Sequence, residues 1–590
     1  MKSEILLTEN RGQAERKPVA SGWRLLILLP VVAALAASYV TYSVARIEDK
    51  YLEGHRVFMD PLHYQLHLFH LWELSKTKSR FDLVLEELSV PAEDGNITQI
   101  AFRTIPIILL NPDWLKSPHA HLVTSGFALF GFLWLLAYTV YRRTNRLLFA
   151  LASLALACSI PGIYDPFAGM GAFWLDLCAG FLGGAAMLCL ICSESGEKLV
   201  WLAGFAFFAA CTFMSRFVSG PYLFVQAAPI LFFYFWQRWK RRNSFRRGVL
   251  PPILLIGGIL FLLVGWYVWK LTPAEAAYNI LYSYGYKDIF GSAYQVLDTA
   301  QRFFGLNFLL FCIVVFVVHL VVGFRSAWRT LAESFWAALS VGLFLTVTCV
   351  IGESTRPMQY SVPIILFALL CPFDWRDQEQ RRSPQARTIL LNGLGLVILV
   401  VAGVTLIQNL RTDLWRPAKP WNVETYRKAL TDTLTDKIMR YLPDKVVGAY
   451  FDLFNEYAFV IAFERYGRFP RMFAPRAFDV RDQYLKLNYP GNKSPEEFAD
   501  IAWREASENC DVVLVFNDPA TAFTPTPFDY GWCLNTYTET IASKIAETVR
   551  TSPHWKKLFV VPCPCLPGGV AAYANLDRYP EAIEIAPSSP

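Results

Sequence analysis

The chain has 590 residues, of which 54% are hydrophobic, 15% aromatic and 18% charged, with a net charge of +6 and a mean hydropathy of +0.31. Soluble domains carry about 25% charged residues, so this composition excludes an ordinary soluble protein. The apolar residues fall in blocks of roughly 18 to 24, which is the length that crosses a bilayer as a helix.

The first block, residues 23–45, is longer than the apolar region of a signal peptide, and no small-residue cleavage site follows it. We therefore predict that it is an uncleaved transmembrane helix, preceded by a cytoplasmic tail over residues 1–22. In all we predict about eleven spans, at residues 23–45, 121–141, 147–163, 171–193, 199–215, 218–237, 249–269, 303–324, 331–351, 359–373 and 388–408.

Basic residues concentrate in alternate connections between these spans. The N-terminal tail, "RRTNR", "QRWKRRNSFRRG" and "DWRDQEQRRSPQAR" all fall on one side, which the positive-inside rule makes cytoplasmic. An odd number of spans then places the C-terminal region, residues 409–590, outside the cytoplasm. We predict a multi-pass protein of a bacterial plasma (inner) membrane.

Residues 46–120 form a long first extracytoplasmic loop in this topology. The pattern of "DPLHYQLHLFHLWELSK" predicts an amphipathic helix at the membrane surface, and "ITQIAFRTIPIILLNPDWL" predicts a second interfacial segment. Residues 409–590 instead alternate strand and helix patterns, from "DKVVGAYFD" to "WKKLFVVPCP", and predict a small α/β domain with a partly parallel sheet. The fold class is therefore mainly α: a polytopic module over residues 23–408, followed by an α/β domain.

Four cysteines belong to this C-terminal domain: Cys510, Cys533, Cys563 and Cys565. An oxidising compartment permits disulfides there, and a bond from Cys533 to Cys563 or Cys565 is one possibility. The spacing leaves the connectivity open.

Asp60 is the carboxylate that the sequence favours for chemistry. It lies just outside the first span, beside the predicted interfacial helix, where it would act as a general base on an acceptor hydroxyl or amine. The alternative is that Asp60 caps the helix that begins at Pro61. His63, His67 and His70 share a face of this helix and, with Asp60, form a candidate metal site; histidines at a polar interface are the simpler alternative.

Further candidates lie in the other outer loops. Asp165, in "YDPFAGMG", is either a metal or donor-phosphate ligand or an ordinary turn residue. Arg216 and Arg356 are suited to binding a phosphate, or they extend toward lipid headgroups. Lys287 lies in the tyrosine-rich "YNILYSYGYKDIFG", which would line an acceptor or sugar pocket or simply lie at the interface.

Three of these segments together resemble the GT-C superfamily of integral membrane glycosyltransferases, which includes protein O-mannosyltransferases and aminoarabinose transferases. "MDPLHYQL" supplies Asp60 and Tyr64, "SIPGIYDPFAGMGAFW" supplies Asp165, and "STRPMQYSVPIILFALL" supplies Arg356 and Tyr360. The resemblance implies an acidic catalytic residue at the start of the first outer loop, often followed by a tyrosine, and an Arg–Tyr pair near the phosphate of a lipid carrier. Many members have Asp-Glu where this chain has Asp-Pro.

The resemblance implies a glycosyltransferase that moves a sugar from a polyprenyl-phosphate-linked donor, with inversion, to a glycan, lipid or protein acceptor outside the cytoplasm. Asp60, Asp165 and His67 are candidate ligands for a divalent metal, Mg²⁺ or Mn²⁺, and no other cofactor is expected. Membrane lipids are the other partners, and no nucleic acid is expected. The alternatives are a transporter or flippase of lipid-linked saccharides, and a surface-glycan polymerase or ligase. Few charges lie at mid-span, which disfavours a transporter.

Overall fold

The computed structural model describes residues 22–52, 59–89, 95–165, 169–171, 175–194, 196–216, 219–270, 384–410, 433–449, 454–473, 494–517, 536–563 and 566–584. Lys287, Arg356, Tyr360, Cys533 and Cys565 lie outside these ranges, as do the predicted spans 303–324, 331–351 and 359–373. The predictions for these residues therefore stay predictions.

Helices make up the described part of the chain up to Leu410. In chain order they are α1 (Gly22–Leu52), α2 (Met59–Ser75), α3 (Arg80–Ser89), α4 (Gly95–Leu110), α5 (His121–Thr144), α6 (Leu147–Cys158), α7 (Leu175–Cys192), α8 (Leu199–Ser215), α9 (Ser219–Arg242), α10 (Phe245–Gly248), α11 (Leu250–Lys270) and α12 (Pro384–Leu410). Eight of the predicted spans fall on α1, α5, α6, α7, α8, α9, α11 and α12.

The first and fifth helices are long and apolar enough to cross a membrane, over Ile27–Asp49 and His121–Arg142. Shorter apolar helices run over Leu147–Cys158, Leu177–Cys192, Leu199–Ser215, Leu250–Gly265 and Gly395–Gln408. The predicted span 147–163 is shortened, because α6 ends at Cys158 and a 3₁₀ turn follows at Pro161–Ile163. The total of eleven spans stays a prediction.

These helices share one hydrophobic core. It includes Leu29 and Val40 of α1, Leu136 of α5, Phe181 of α7 and Phe205 of α8. Short turns join α5 to α6 and α7 to α8, so consecutive helices run in opposite directions. The ends of α1, α6 and α8 therefore lie at the same end of the bundle as the beginnings of α5 and α9.

A separate small hydrophobic cluster packs the helices of the first long loop against one another. Tyr64, Leu68 and Leu71 of α2 pack with Leu83 of α3 and Ile107 of α4. The two interfacial segments predicted from the sequence are thus helical. Helix α2 begins at Met59, two residues before Pro61, so Asp60 lies in its first turn and not at the predicted cap position.

The C-terminal region contains a mixed five-stranded sheet in the order β2-β1-β3-β5-β4. The strands are β1 (Val447–Ala449), β2 (Met472–Phe473), β3 (Val512–Phe516), β4 (Trp555–Cys563) and β5 (Leu566–Asn575), and the helices are α13 (Asp436–Tyr441), α14 (Phe454–Tyr466), α15 (Pro495–Asn509) and α16 (Thr536–Thr551). Strands β1, β2 and β3 are parallel, whereas β5 pairs antiparallel with β3 and β4. The expected partly parallel α/β sheet is present.

Helices cover both faces of this sheet. On one face α13 and α14 pack on it through Ile438 and Ile461, and on the other α15 and α16 pack through Ala502 and Ile545. Helix α15 begins with a capping box, in which Ser494 Oγ accepts from the Glu497 amide and the Glu497 carboxylate accepts from the Ser494 amide. Cys510 lies fully buried just before β3.

Candidate functional site

Two carboxylates and a histidine meet at the end of the bundle where α1 ends and α5 begins. His119 Nδ1 lies 2.9 Å from Glu48 Oε2, and His119 Nε2 lies 2.7 Å from Asp49 Oδ1. The imidazole therefore bridges two consecutive carboxylates that are 71 and 70 residues away in the chain. We call Glu48, Asp49 and His119 the acidic bridge.

Burial makes the two carboxylates of the acidic bridge unlike one another. The side chain of Glu48 is 1% exposed and that of Asp49 is 47% exposed. Helix α1 continues to Leu52, which places consecutive residues on different sides of the helix: Glu48 faces the bundle and Asp49 faces out. The Glu48 carboxylate is thus packed inside the bundle, whereas the Asp49 carboxylate is accessible to a reactant.

The second loop packs directly against Glu48. A Cβ built on Gly171 would lie 3.0 Å from Val44 Cγ1 and 3.3 Å from Glu48 Oε2, so only glycine fits there without displacing a neighbour. The carbonyl of Gly171 also lies 3.1 Å from Nε2 of His121, which is fully buried. The loop after α6 is therefore part of the same site.

Asp165 lies in this loop and is half-buried. The Gly169 amide donates to the Asp165 carbonyl at 2.8 Å, and the Met170 amide donates to the Ile163 carbonyl at 3.0 Å, which folds the loop back on itself. The Tyr164 hydroxyl donates to the Cys158 carbonyl at 2.7 Å, and burial raises the pKa of Tyr164. The structure thus brings the loop that carries Asp165 to the acidic bridge.

Arg216 follows α8 at the same end of the bundle. Its amide donates to the Thr212 carbonyl at 3.1 Å, and the residue is 8% exposed. Arg216 is therefore packed among the helix ends and not on an open surface. This burial argues against the alternative in which its side chain extends toward lipid headgroups.

The histidine face of α2 is only partly described. Asp60 and His63 are placed by their backbone alone, whereas His67 Nε2 lies 2.8 Å from Glu87 Oε1 of α3. Glu87 is 1% exposed and also accepts from Thr104 Oγ1 at 2.5 Å. Tyr64 is equally buried, in the cluster of α2, α3 and α4, so it packs in a core and does not face an opening.

No group of three or more His, Cys, Asp or Glu side chains in the described part of the chain is arranged to hold a metal ion. The bond from His67 to Glu87 also takes up one of the two ring nitrogens of this candidate ligand. A metal on Asp60 or Asp165 stays a prediction.

The opposite end of the bundle is rich in ion pairs. Arg142 of α5 pairs with Glu194, and Arg242 of α9 lies 3.0 Å from Glu197 in the turn between α7 and α8. Lys240, Arg241 and Arg242 occupy the last turn of α9. The basic segments "RRTNR" and "QRWKRRNSFRRG" therefore lie at one end, as the alternation of the loops predicts.

Glu48, Asp49 and His119 are not among the site residues predicted from the sequence. The signal was nevertheless present, because "RIEDKY" follows the first apolar block directly and places Tyr51 two residues after Asp49. This fits the implied pattern of an acidic residue and a following tyrosine as well as Asp60 and Tyr64 do. His119 could not be linked to it by spacing, since the contact depends on how α1 packs along α5.

Comparison with known proteins supports the fold. No family model and no curated protein matches the sequence. Among solved structures, the chain is similar to the crystal structure of ArnT from Cupriavidus metallidurans bound to undecaprenyl phosphate, with a TM-score of 0.53 and 11% identity over 94% of this chain and 98% of that chain. At this identity the likeness shows only that the two chains share a similar fold.

Proposed function

We propose that the chain is a membrane glycosyltransferase of the GT-C type, which moves a sugar from a polyprenyl-phosphate-linked donor to a glycan, lipid or protein acceptor, with inversion at the sugar. The acidic bridge carries this proposal: a half-exposed carboxylate on a rigid helix end, beside the loop of Asp165, in a fold similar to a protein bound to undecaprenyl phosphate. The chain would lie in a bacterial plasma membrane, with a cytoplasmic N-terminus and an extracytoplasmic C-terminal domain.

The chemistry requires a base for the acceptor and cations for the leaving phosphate. As the acceptor oxygen or nitrogen bonds to the anomeric carbon, its proton passes to a carboxylate and the carbon–phosphate oxygen bond breaks. Asp49 is suited to the first role because its carboxylate is accessible and held by His119. Asp60 remains the second candidate base, at the first turn of α2.

The leaving phosphate needs a donor of several hydrogen bonds. Arg216 lies at the same end of the bundle as Asp49 and has a guanidinium suited to that group. Arg356 and Tyr360 are proposed for the same phosphate, Asp165 for the donor or a metal, and His63 and Lys287 for the sugar or acceptor.

The test is transfer of radiolabelled sugar from polyprenyl-phosphate donors in membranes that carry the parent protein, Asp49→Asn or Asp60→Asn. Asparagine preserves the size of the side chain and removes the base. We expect the Asp49→Asn variant to lose transfer by about 10²-fold or more, the size typical of a general base. Loss in Asp60→Asn alone would instead assign the base to α2. A parent protein that transfers no sugar, with donor moved intact between leaflets, would support the flippase alternative.

A further inference from the structure

The two contacts of His119 limit how hydrogen-bond donors can be arranged in the acidic bridge. Both ring nitrogens lie within 3 Å of carboxylate oxygens, and an ionised carboxylate only accepts hydrogen bonds. A neutral imidazole has a single N–H, so it can donate to one of them only. Both contacts are satisfied when the ring is an imidazolium, or when one of the carboxylates holds the second proton.

The position of the carboxylates on α1 strengthens this requirement. Glu48 and Asp49 lie in the last turns of α1, which runs to Leu52, and the C-terminal end of a helix carries partial negative charge. Two acidic residues there are unfavourable, and Glu48 is also removed from water. A cation between the carboxylates offsets all three costs, and departures from local rules of this kind are typical of functional sites.

The backbone holds His119 firmly in place. Its amide donates to Ser117 Oγ at 3.2 Å, and its carbonyl accepts from the Leu122 amide at 3.0 Å, in the first turn of α5. The imidazole therefore reaches from the start of one long helix to the end of another. Nearby His121 is fully buried, and its Nε2 lies 3.1 Å from the Gly171 carbonyl.

We propose that His119 is a positioning residue for the carboxylate of Asp49, with Glu48 as the buried group that orients the imidazole; this rests on the proposed sugar transfer. Glu48 fixes the ring from the buried side, and the ring fixes Asp49 Oδ1 from the other, which leaves Asp49 Oδ2 for the acceptor. The arrangement has the order of a catalytic triad: buried carboxylate, imidazole, reactive group.

The proton balance follows from this arrangement. The acceptor O–H or N–H bond breaks as the bond to the anomeric carbon forms, and the electron pair of the broken glycosyl–phosphate bond leaves with the phosphate. The proton moves to the free oxygen of Asp49 and then to water across its exposed side. His119 takes no part in this proton transfer, and no oxidant, reductant or further reactant is needed.

The experiment compares His119→Ala and His119→Gln with a matched surface control, His554→Ala. His554 Nδ1 lies 3.1 Å from Asp577 Oδ1, but both side chains are well exposed, at 64% and 69%. The purified proteins in nanodiscs are assayed for kcat and KM toward the polyprenyl-phosphate sugar, with and without millimolar imidazole, and their thermal unfolding is recorded.

We expect His119→Ala to lower kcat by about 10²-fold with KM within twofold, because misplacing a reactive group affects turnover more than binding. Added imidazole should restore part of kcat, since the vacated space opens to solvent, and His119→Gln should be less impaired than the alanine variant. The His554→Ala variant should match the parent.

Three results would overturn the proposal: unchanged kcat in His119→Ala, a loss that imidazole does not relieve and that parallels a drop in Tm, or a change confined to KM. Each of these leaves the parent enzyme active, so the proposed function stands. A parent protein with no transfer at all is the separate result that overturns both.

Discussion

Phe69 of α2 stacks on Phe463 of α14, with ring centroids 4.7 Å apart and ring planes 13° from parallel. Trp72, one turn further along α2, meets the same ring edge-on at 5.4 Å. Phe69 is fully buried in the hydrophobic core of the C-terminal domain. The helix that follows the first span is therefore part of the core of the domain at the other end of the chain.

This contact predicts coupled stability of the first loop and the C-terminal domain. A double-mutant cycle of Phe69→Ala and Phe463→Ala should give a coupling free energy of about 0.5–1.5 kcal/mol, the range for stacked aromatic pairs. Thermal unfolding of the full chain in detergent measures it. Phe81→Ala serves as the control second site, because Phe81 is 69% exposed on α3. Additive effects of Phe69→Ala and Phe463→Ala would contradict the coupling.

The hydroxyl of Thr104 should stabilise the first loop through Glu87. Thr104→Val keeps the shape of the side chain but removes a donor to a buried carboxylate, so it should lower the free energy of unfolding by about 1–3 kcal/mol. Thr548→Val is the control, since that hydroxyl bonds only the Lys544 carbonyl of its own helix. Equal Tm values for the two variants would show that the buried bond has no net effect.

Gly171 should be intolerant of even a methyl group. In Gly171→Ala the new Cβ must displace Val44 or the carboxylate of Glu48, and with it the orientation of His119. We expect transfer to fall about tenfold or more, as for other small misplacements of reactive groups. Gly403→Ala in α12 is the control, because nothing lies within 4 Å of its added Cβ. Parent-like transfer in Gly171→Ala would place the acidic bridge outside the active site.

The distribution of basic residues predicts that the two ends of the bundle lie on opposite sides of the membrane. Alkaline phosphatase, which is active only outside the cytoplasm, should be active when fused after residue 119 or at the C-terminus. It should be inactive when fused after Asn145 or Asn243, in the basic turns. Green fluorescent protein fusions should give the reverse pattern. Activity after Asn145 would reverse the proposed orientation and put the acidic bridge on the cytoplasmic side.

Much of the architecture was predictable because it depends on local patterns. The apolar blocks form helices where they are described, and the strands predicted at "DKVVGAYFD" and "WKKLFVVPCP" were confirmed as β1 and β4. Strand β5 was missed, because "LPGGVAAYAN" is rich in Gly, Pro and Ala, which disfavour strands. Its pairing between β3 and β4 decides its conformation.

The candidate site was less predictable because its contacts are long-range. His119 reaches Glu48 across 71 residues, and only the packing of α1 along α5 brings the two together. In the sequence, the neighbouring Pro and His residues indicated a site at Asp60. Glu48 and Asp49 have only the pattern of charged residues that commonly follow a membrane span. Helix α1 ends at Leu52, seven residues after the predicted end of the span at residue 45. Glu48 and Asp49 were therefore expected beyond the span, and the sides of the helix on which they lie could not be predicted.

The most direct test of the account is to follow the fate of the donor. Protein in nanodiscs is incubated with a polyprenyl-phosphate-linked sugar and with the cell-envelope fraction as acceptor. The lipid products are then identified and quantified by mass spectrometry. Sugar transfer predicts free polyprenyl phosphate in equal amount to the sugar gained by the acceptor, and both products reduced about 10²-fold or more with Asp49→Asn. Donor recovered intact in every sample, including those in which the parent protein binds it, would contradict a transferase.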